Sequence, residues 1–208
     1  MYPDAINKKT ARVLEKIGAS QIAKDFYLAG GTALALQIGH RQSIDLDWFS
    51  RQDFSGDNLK KTLSELGSFE VISEAPGTLH GLLDNVRVSF FYYDYTQLFP
   101  FLAFGKINLA DERDIAAMKF SAVSSRGGKK DFLDIYFLLQ KYELGELFNF
   151  FEKKYKNIKY NKLHILKSLT YFDEAETDPM PIMLHEANWE TIKKALQEKI
   201  KEFLKRVS

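Results

Sequence analysis

The pattern of apolar and polar residues predicts a mixture of strands and helices in the first half of the chain. Apolar residues at helical spacing predict a helix over residues 4–24, and a short apolar strand follows over 25–29. A second, shorter helix is predicted over 32–38, with Gly39 placed just beyond its end. The next apolar run predicts a strand over 43–49.

The pattern becomes mostly helical after residue 105. Before that point, a helix is predicted over 57–66 and strands over 69–73 and 86–93. Beyond it, helical periodicity covers residues 111–125, 131–142, 144–156, 162–171 and 189–206. We therefore expect an α+β protein with two domains: a mixed domain over 1–105 and a helical C-terminal domain over 106–208.

Composition limits the class of protein. The chain of 208 residues is long enough to bury a core, and it contains no cysteine, which excludes disulfides and thiolate metal sites and favours a reducing cytoplasm. Residues 1–16 carry charges throughout, and no apolar run is long enough to predict a membrane span. We expect a cytoplasmic protein without membrane association. The net charge of +1 means that any nucleic-acid binding needs a local patch.

One such patch is the segment Lys153–Lys167. It contains six lysines, with Tyr155, Tyr160 and His164 between them. A solvated face of a pair of amphipathic helices is the favoured interpretation, and an RNA-contacting surface is the alternative.

A glycine turn is the first candidate for chemistry. Gly30 and Gly31 follow the predicted strand over 25–29 and precede the predicted helix. Two glycines let the backbone turn sharply and approach a ligand, and the free N–H groups at a helix start favour an anion such as a triphosphate. Because Gly-Gly before a helix is often only a turn, this feature needs a second one beside it.

That second feature is a pair of carboxylates in the strand predicted next. Asp45 and Asp47 are one residue apart, so we expect them to share one face while Ile44, Leu46 and Trp48 pack behind them. Two aspartates can hold one or two Mg²⁺ ions together with nucleotide phosphates and water. Such ions stabilise an in-line displacement at an α-phosphorus. The short distance to the glycine turn makes the combination specific.

A second group of charged residues lies in the helical part. Lys119 flanks the predicted buried side of helix 111–125; it is either a lysine whose stem lies on the core or a point charge for a triphosphate. Arg126 is two turns further along the same side. Asp131 is expected to be a helix N-cap. Asp134 lies among apolar residues, so it needs a partner, either Lys119 or a metal-bound nucleotide.

These stretches resemble the AbiEii toxin group of nucleotidyltransferases, which occurs in bacterial abortive-infection and type IV toxin–antitoxin systems. The resemblance spans most of the chain and rests on Gly30–Leu36, Arg41–Phe49, Asp111–Lys119, Lys130–Asp134 and Leu169–Glu176, with Pro179-Met180-Pro181 and Trp189. It implies a polymerase-β-like nucleotidyltransferase domain joined to a helical C-terminal domain. It also implies Mg²⁺-dependent transfer of a nucleoside monophosphate from an NTP, with release of pyrophosphate.

The resemblance also implies residue roles and partners. The metal ligands would be Asp45 and Asp47, the second catalytic pair Lys119 and Asp134, and the nucleotide-binding residues Gly30, Gly31, Thr32, Ser43 and Arg126. Relatives modify the acceptor end of transfer RNA or act on other cellular targets. The 3′ end of transfer RNA is the acceptor expected here, and an antitoxin encoded nearby is an expected partner.

One departure concerns a third carboxylate that the broader superfamily often places on a later strand. The strand over 86–93 has Arg87 and Ser89 near its middle, where that carboxylate would be expected. Either the third acid is dispensable, or Asp134 takes over part of its role.

Two other functions stay open at the level of sequence. The chain could be a non-catalytic module that binds nucleotide or docks a partner, which equal nucleotide binding without product would indicate. It could also transfer the nucleotide to a protein. Replacing lysines of the 153–167 segment separates RNA from protein acceptors.

Overall fold

The chain divides into two compact units. A computed structural model describes residues 1–207, and side chains as far as 206. The first unit contains residues 1–95 and 99–111, and the second contains residues 96–98 and those from 112 onward. The division falls after Asp111 rather than near residue 105, because a hairpin over 102–109 belongs to the sheet of the first unit.

The first unit contains four α-helices, and only the first predicted helix differs much from the pattern. They are α1 (Lys8–Gly18), α2 (Ile22–Asp25), α3 (Gly30–Ile38) and α4 (Gly56–Leu66), preceded by a 3₁₀ turn at Pro3–Ala5. The single helix predicted over 4–24 is wrong. Asn7 caps α1 by accepting a 2.8 Å hydrogen bond from the Thr10 amide, so α1 begins only at Lys8.

A mixed sheet forms the centre of the first unit, as the α+β prediction requires. Its strands are β1 (Tyr27–Ala29), β2 (Leu46–Ser50), β3 (Phe69–Ala75), β4 (Thr78–Leu83), β5 (Val86–Tyr92), β6 (Leu102–Phe104) and β7 (Ile107–Leu109), in the order β3-β4-β5-β2-β1-β7-β6. Strand β2 runs parallel to β5 and antiparallel to β1. The sequence analysis missed β4, β6 and β7. The last two have three residues each, which is too few to show an alternation of apolar and polar residues.

The strand register separates an apolar face from a polar one. On the apolar face, the paired residues are wholly buried: Leu46 with Val88, and Trp48 with Phe90. Asp47 alternates with these residues and projects to the other face, where Ser89 is its register partner. The prediction that Ile44 packs behind the aspartates is wrong. Strand β2 begins only at Leu46, and Ile44 is exposed.

The second unit is helical, as predicted. Its helices are α5 (Glu112–Ser125), α6 (Lys129–Leu138), α7 (Leu144–Lys154), α8 (Lys162–Ser168), α9 (Asp173–Glu176) and α10 (Trp189–Val207). Phe120 of α5 packs against Phe148 and Phe151 of α7. Within residues 1–207, no helix is long and apolar enough to cross a membrane.

A buried ion pair holds α5 and α7 together. The Lys154 ammonium lies 2.8 Å from Asp114 Oδ1, and both side chains are fully buried. Lys154 also donates to the Thr96 carbonyl, and the Leu98 amide donates to Asp114, so the pair fastens residues 96–98 to both helices. Lys154 therefore does not belong to the solvent-exposed lysines of the 153–167 segment.

Candidate active site

The glycine turn and the aspartates meet at Gly30. Ala29 is the register partner of Asp47, which places Gly30 directly beside that strand. Gly30 has φ +65°, and a Cβ built on it would lie 2.6 Å from Asp47 Oδ2. A residue with a side chain would thus meet both backbone strain and the carboxylate. The Gly30 position allows the backbone of the turn to lie against the Asp47 carboxylate.

Gly31 makes room for a buried arginine. A Cβ at Gly31 would lie 2.5 Å from Arg41 Nη2 and 3.6 Å from Ser43 Oγ. Arg41 is only 2% exposed, so its guanidinium places a positive charge beside the first turn of α3. The sequence analysis quoted Arg41 in a motif and assigned it no role. The sequence did contain a signal for such a role, because Arg41 is a cation that lies between the glycines and the aspartates along the chain.

Thr32 ties the start of α3 to the segment that enters β2. Its buried hydroxyl donates to the Asp45 carbonyl and lies 2.8 Å from Ser43 Oγ. The Ser43 amide in turn donates to the Ala5 carbonyl at 2.8 Å. In the first unit, the structure therefore brings together the predicted residues Gly30, Gly31, Thr32, Ser43, Asp45 and Asp47.

The two aspartates suit Mg²⁺ bound together with phosphates. Both side chains are partly exposed, and carboxylate oxygens are the ligands that Mg²⁺ prefers. Across residues 1–207, no group of three or more histidine, cysteine or acidic side chains is arranged to hold a metal. Asp45 and Asp47 thus fit a site that relies on nucleotide oxygens and water for its remaining ligands.

The position facing Asp47 on β5 carries a hydroxyl rather than a third carboxylate. Ser89 is buried and lies opposite Asp47 in the parallel register. His80 of β4 is the next residue across the sheet, and its Nδ1 lies 3.0 Å from Ser89 Oγ. Neither residue was a sequence prediction for a role in catalysis. His80 was missed with its strand.

The charged residues of the second unit form their own group, the Lys119 cluster, made of Lys119, Arg126, Asp131 and Asp134. The Lys119 ammonium lies 2.8 Å from Asp131 Oδ1 and 2.6 Å from Asp134 Oδ2. Asp134 is fully buried, so the partner expected for it is present. Asp131 was expected to be an N-cap, and that was wrong. Helix α6 begins at Lys129 after Gly128, and the Asp131 carboxylate binds Lys119 instead.

The Lys119 cluster holds its lysine firmly. A buried ammonium between two carboxylates is costly to separate from either of them. Arg126 is mostly exposed and lies 3.8 Å from Asp131, which is a weak contact. The structure therefore fixes the position of Lys119, while the roles of Lys119, Asp134 and Arg126 toward a nucleotide stay predictions.

A mixed sheet that sets a glycine turn and a helix start against Asp47 of β2, with Asp45 just before that strand, defines a class of enzyme, the nucleotidyltransferases. Comparison with known families gives the particular one. The family described as "Nucleotidyl transferase AbiEii toxin, Type IV TA system" matches residues 12–206. The chain belongs to this family, and it is a nucleotidyltransferase of the type IV toxin–antitoxin class.

Individual proteins are also similar. An uncharacterized protein of Aquifex aeolicus (strain VF5) is 36% identical over 209 aligned positions, which cover 96% of this chain and 98% of that protein. A candidate nucleotidyltransferase from H. pylori aligns with a TM-score of 0.60 and 15% identity, over 97% of this chain and 95% of its own. The nucleotidyltransferase toxin MenT4 of Mycobacterium tuberculosis H37Rv aligns with a TM-score of 0.56 and 12% identity. That alignment covers 94% of this chain and 86% of the MenT4 chain. These structures confirm the polymerase-β-like fold.

Proposed function

We propose that the protein transfers a nucleoside monophosphate from an NTP to the 3′ hydroxyl of an RNA, in a Mg²⁺-dependent reaction that releases pyrophosphate. Transfer RNA is the acceptor we favour. The observation that carries the proposal is the contact between the glycine turn and the carboxylate, where a Cβ on Gly30 would lie 2.6 Å from Asp47 Oδ2. In this proposal, the turn that binds phosphate and the carboxylate that binds the metal are in contact.

The chemistry proposed is an in-line displacement at the α-phosphorus. The acceptor oxygen forms a bond to that phosphorus, the bond to the bridging oxygen breaks, and pyrophosphate leaves. When bound at Asp45 and Asp47, Mg²⁺ supplies charge neutralisation at the phosphates. The backbone N–H groups at the start of α3 and the buried guanidinium of Arg41 favour the triphosphate anion from the protein side.

Support for an RNA acceptor comes from the segment Lys153–Lys167. Apart from Lys154, its lysines are exposed. Lys162 pairs with Glu152 at 3.2 Å, which leaves Lys153, Lys156, Lys159 and Lys167 as the candidates for phosphate contacts. Tyr160, which is partly exposed, lies among them. Lysines with an aromatic residue between them suit a single-stranded RNA end.

We also propose the setting in which the reaction occurs. Membership of the type IV family supports an antitoxin encoded nearby. The absence of cysteine agrees with a reducing cytoplasm, where NTPs and transfer RNA are both present.

The experiment uses the wild-type protein with each of the four α-³²P-labelled NTPs, Mg²⁺ and total RNA. We expect label on an RNA of transfer-RNA size with one preferred nucleotide, sensitive to RNase and absent when EDTA replaces Mg²⁺. Label that survives RNase would contradict the RNA acceptor and indicate a protein. NTP binding without any labelled product would contradict transfer and indicate a binding module.

A further inference from the structure

Three side chains form a row across the polar face of the sheet. Asp47 on β2 faces Ser89 on β5, and Ser89 faces His80 on β4. Since register partners on neighbouring strands project to the same side, Ser89 lies between the carboxylate and the imidazole. Ser89 is 4% exposed, and its Oγ lies 3.0 Å from His80 Nδ1.

The His80 ring is held in place and still reaches solvent. Phe91, two residues beyond Ser89 on β5, packs its ring against the imidazole at 5.4 Å in an edge-to-face arrangement. The His80 side chain is only partly buried. A proton taken up at Nδ1 can therefore be released from the ring to water.

We propose that Ser89 and His80 form a proton relay that deprotonates the acceptor hydroxyl, with Ser89 beside the reacting atoms and His80 as the final base. This inference rests on the proposed function. As the acceptor oxygen bonds to the α-phosphorus, its proton passes to Ser89 Oγ, and the Ser89 proton passes to His80 Nδ1. The products are the nucleotidylated acceptor, pyrophosphate and an imidazolium that releases its proton to water.

The chemical reason for the pairing is that a serine hydroxyl is too weak a base to act alone. Imidazole is the side chain that accepts a proton near neutral pH, and a general base contributes typically 10²- to 10⁴-fold to a rate. The charged groups that share the His80 face of the sheet are Glu70 on β3, Arg87 on β5 and Asp47 on β2, by the strand register. In the strand register, Ser89 lies between His80 and Asp47.

The test begins with the kinetics of His80→Gln and Ser89→Ala. We expect each to lower kcat by about 100-fold, with the KM for the NTP unchanged and with the double variant no worse than either single one. The pH profile of kcat should also change shape in His80→Gln, because this variant lacks the final base of the relay.

Rescue and control variants separate the relay from a structural hydrogen bond. Ser89→Asp should restore activity in the His80→Gln background, because a carboxylate at this position is itself a base. Ser89→Thr, which keeps the hydroxyl, should stay active. Ser73→Ala is the matched control, since Ser73 faces His80 from β3, on the side away from Asp47, and we expect wild-type kinetics from it.

The outcomes that overturn the relay are distinct. It is wrong if His80→Gln keeps the wild-type kcat, or if its rate falls while the pH profile keeps its shape. It is also wrong if Ser89→Thr loses as much activity as Ser89→Ala. If wild-type protein itself forms no labelled product, the proposed function fails and the relay fails with it. If wild type forms product and His80→Gln matches it, the relay alone fails.

Discussion

The carboxylate of Asp47 occupies the space into which a side chain at Gly30 would project. A Cβ on Gly30 would lie 2.6 Å from Asp47 Oδ2 and 3.2 Å from its Cβ. The glycine turn and the aspartate strand therefore form one structure, in which each motif constrains the other. Changing the glycine should disturb the proposed metal site without any change to the aspartate itself.

We expect Gly30→Ala to lose most of the activity, because the new methyl group must displace the Asp47 carboxylate. The matched control is Gly105→Ala. Gly105 also has positive φ, at +58°, and no atom lies within 4 Å of the position that a Cβ would take there. Both variants should lose about 1–2 kcal/mol of unfolding free energy to left-handed strain, and only Gly30→Ala should lose turnover. Equal activity in the two variants would contradict the role of this contact.

We expect that replacing Lys119 in the Lys119 cluster greatly lowers the free energy of unfolding. Lys119→Met leaves Asp131 and Asp134 facing each other without their shared cation, and breaking a buried pair costs about 3–5 kcal/mol. Urea unfolding of the variant measures this loss. Lys130→Met changes an exposed lysine on α6, the helix that carries both aspartates, and should stay within about 0.5 kcal/mol of wild type. A similarly small loss in Lys119→Met would show that the cluster is not closely paired.

If the exposed lysines of the 153–167 segment contact RNA phosphates, the affinity for RNA should depend on salt concentration. Replacing Lys153, Lys156, Lys159 and Lys167 by glutamine should weaken RNA binding, and should lower the slope of log K against log salt by roughly 0.7 for each phosphate that the protein no longer neutralises. Fluorescence titration over a salt series measures the slope. The matched control replaces four exposed cations of α10 by glutamine: Lys194, Lys201, Lys205 and Arg206. Equal slopes for both variants would remove the support for an RNA acceptor on this face.

Asp84, in the turn between β4 and β5, forms an ion pair with Lys16 that we expect to be sensitive to acid. A hydrogen bond from the Lys16 ammonium, 2.6 Å away, holds the pKa of Asp84 below its usual value, and the Ser68 amide lowers it further. Because the folded state favours the ionised carboxylate, the ion pair stabilises the fold above the unfolded pKa of about 3.9, and this stabilisation disappears as the pH falls through the folded pKa.

We therefore expect Asp84→Asn to have a lower Tm than wild type at neutral pH, with the two values converging in acid. Asparagine tolerates the positive φ of 49° at this position, so the backbone should be unaffected. Lys16→Met should reproduce the same pH dependence from the other partner. A constant difference in Tm from neutral to acid pH would contradict this assignment.

Most residues of the proposed phosphate and metal site could be grouped from sequence because they are close along the chain. Gly30, Gly31, Asp45 and Asp47 lie within one strand-turn-helix-strand segment, where local spacing sets geometry. The pairing of Lys119 with Asp134 could be anticipated because a buried carboxylate requires a partner. Arg41 also lay in this segment, but its burial under Gly31 depends on packing that spacing does not show.

The Ser89–His80 pair could not be predicted, because it depends on strand register. Ser89 faces Asp47 only because β2 and β5 are parallel neighbours, although they are far apart along the chain. Strand β4, which carries His80, contains Gly81 and falls between two turns, so its alternation is weak. The N-cap assigned to Asp131 failed for a similar reason, since Lys119 competes for that carboxylate from another helix.

The measurement that tests the central claim most directly is nucleotide transfer by Asp47→Asn. This change keeps the size of the side chain and removes the charge that the proposed Mg²⁺ site beside the glycine turn requires. Asp53→Asn is the matched control at an exposed aspartate outside the site. We predict that Asp47→Asn lowers transfer from labelled NTP by about 100-fold or more, and that Asp53→Asn equals wild type. Wild-type transfer by Asp47→Asn would contradict the assignment of the active site.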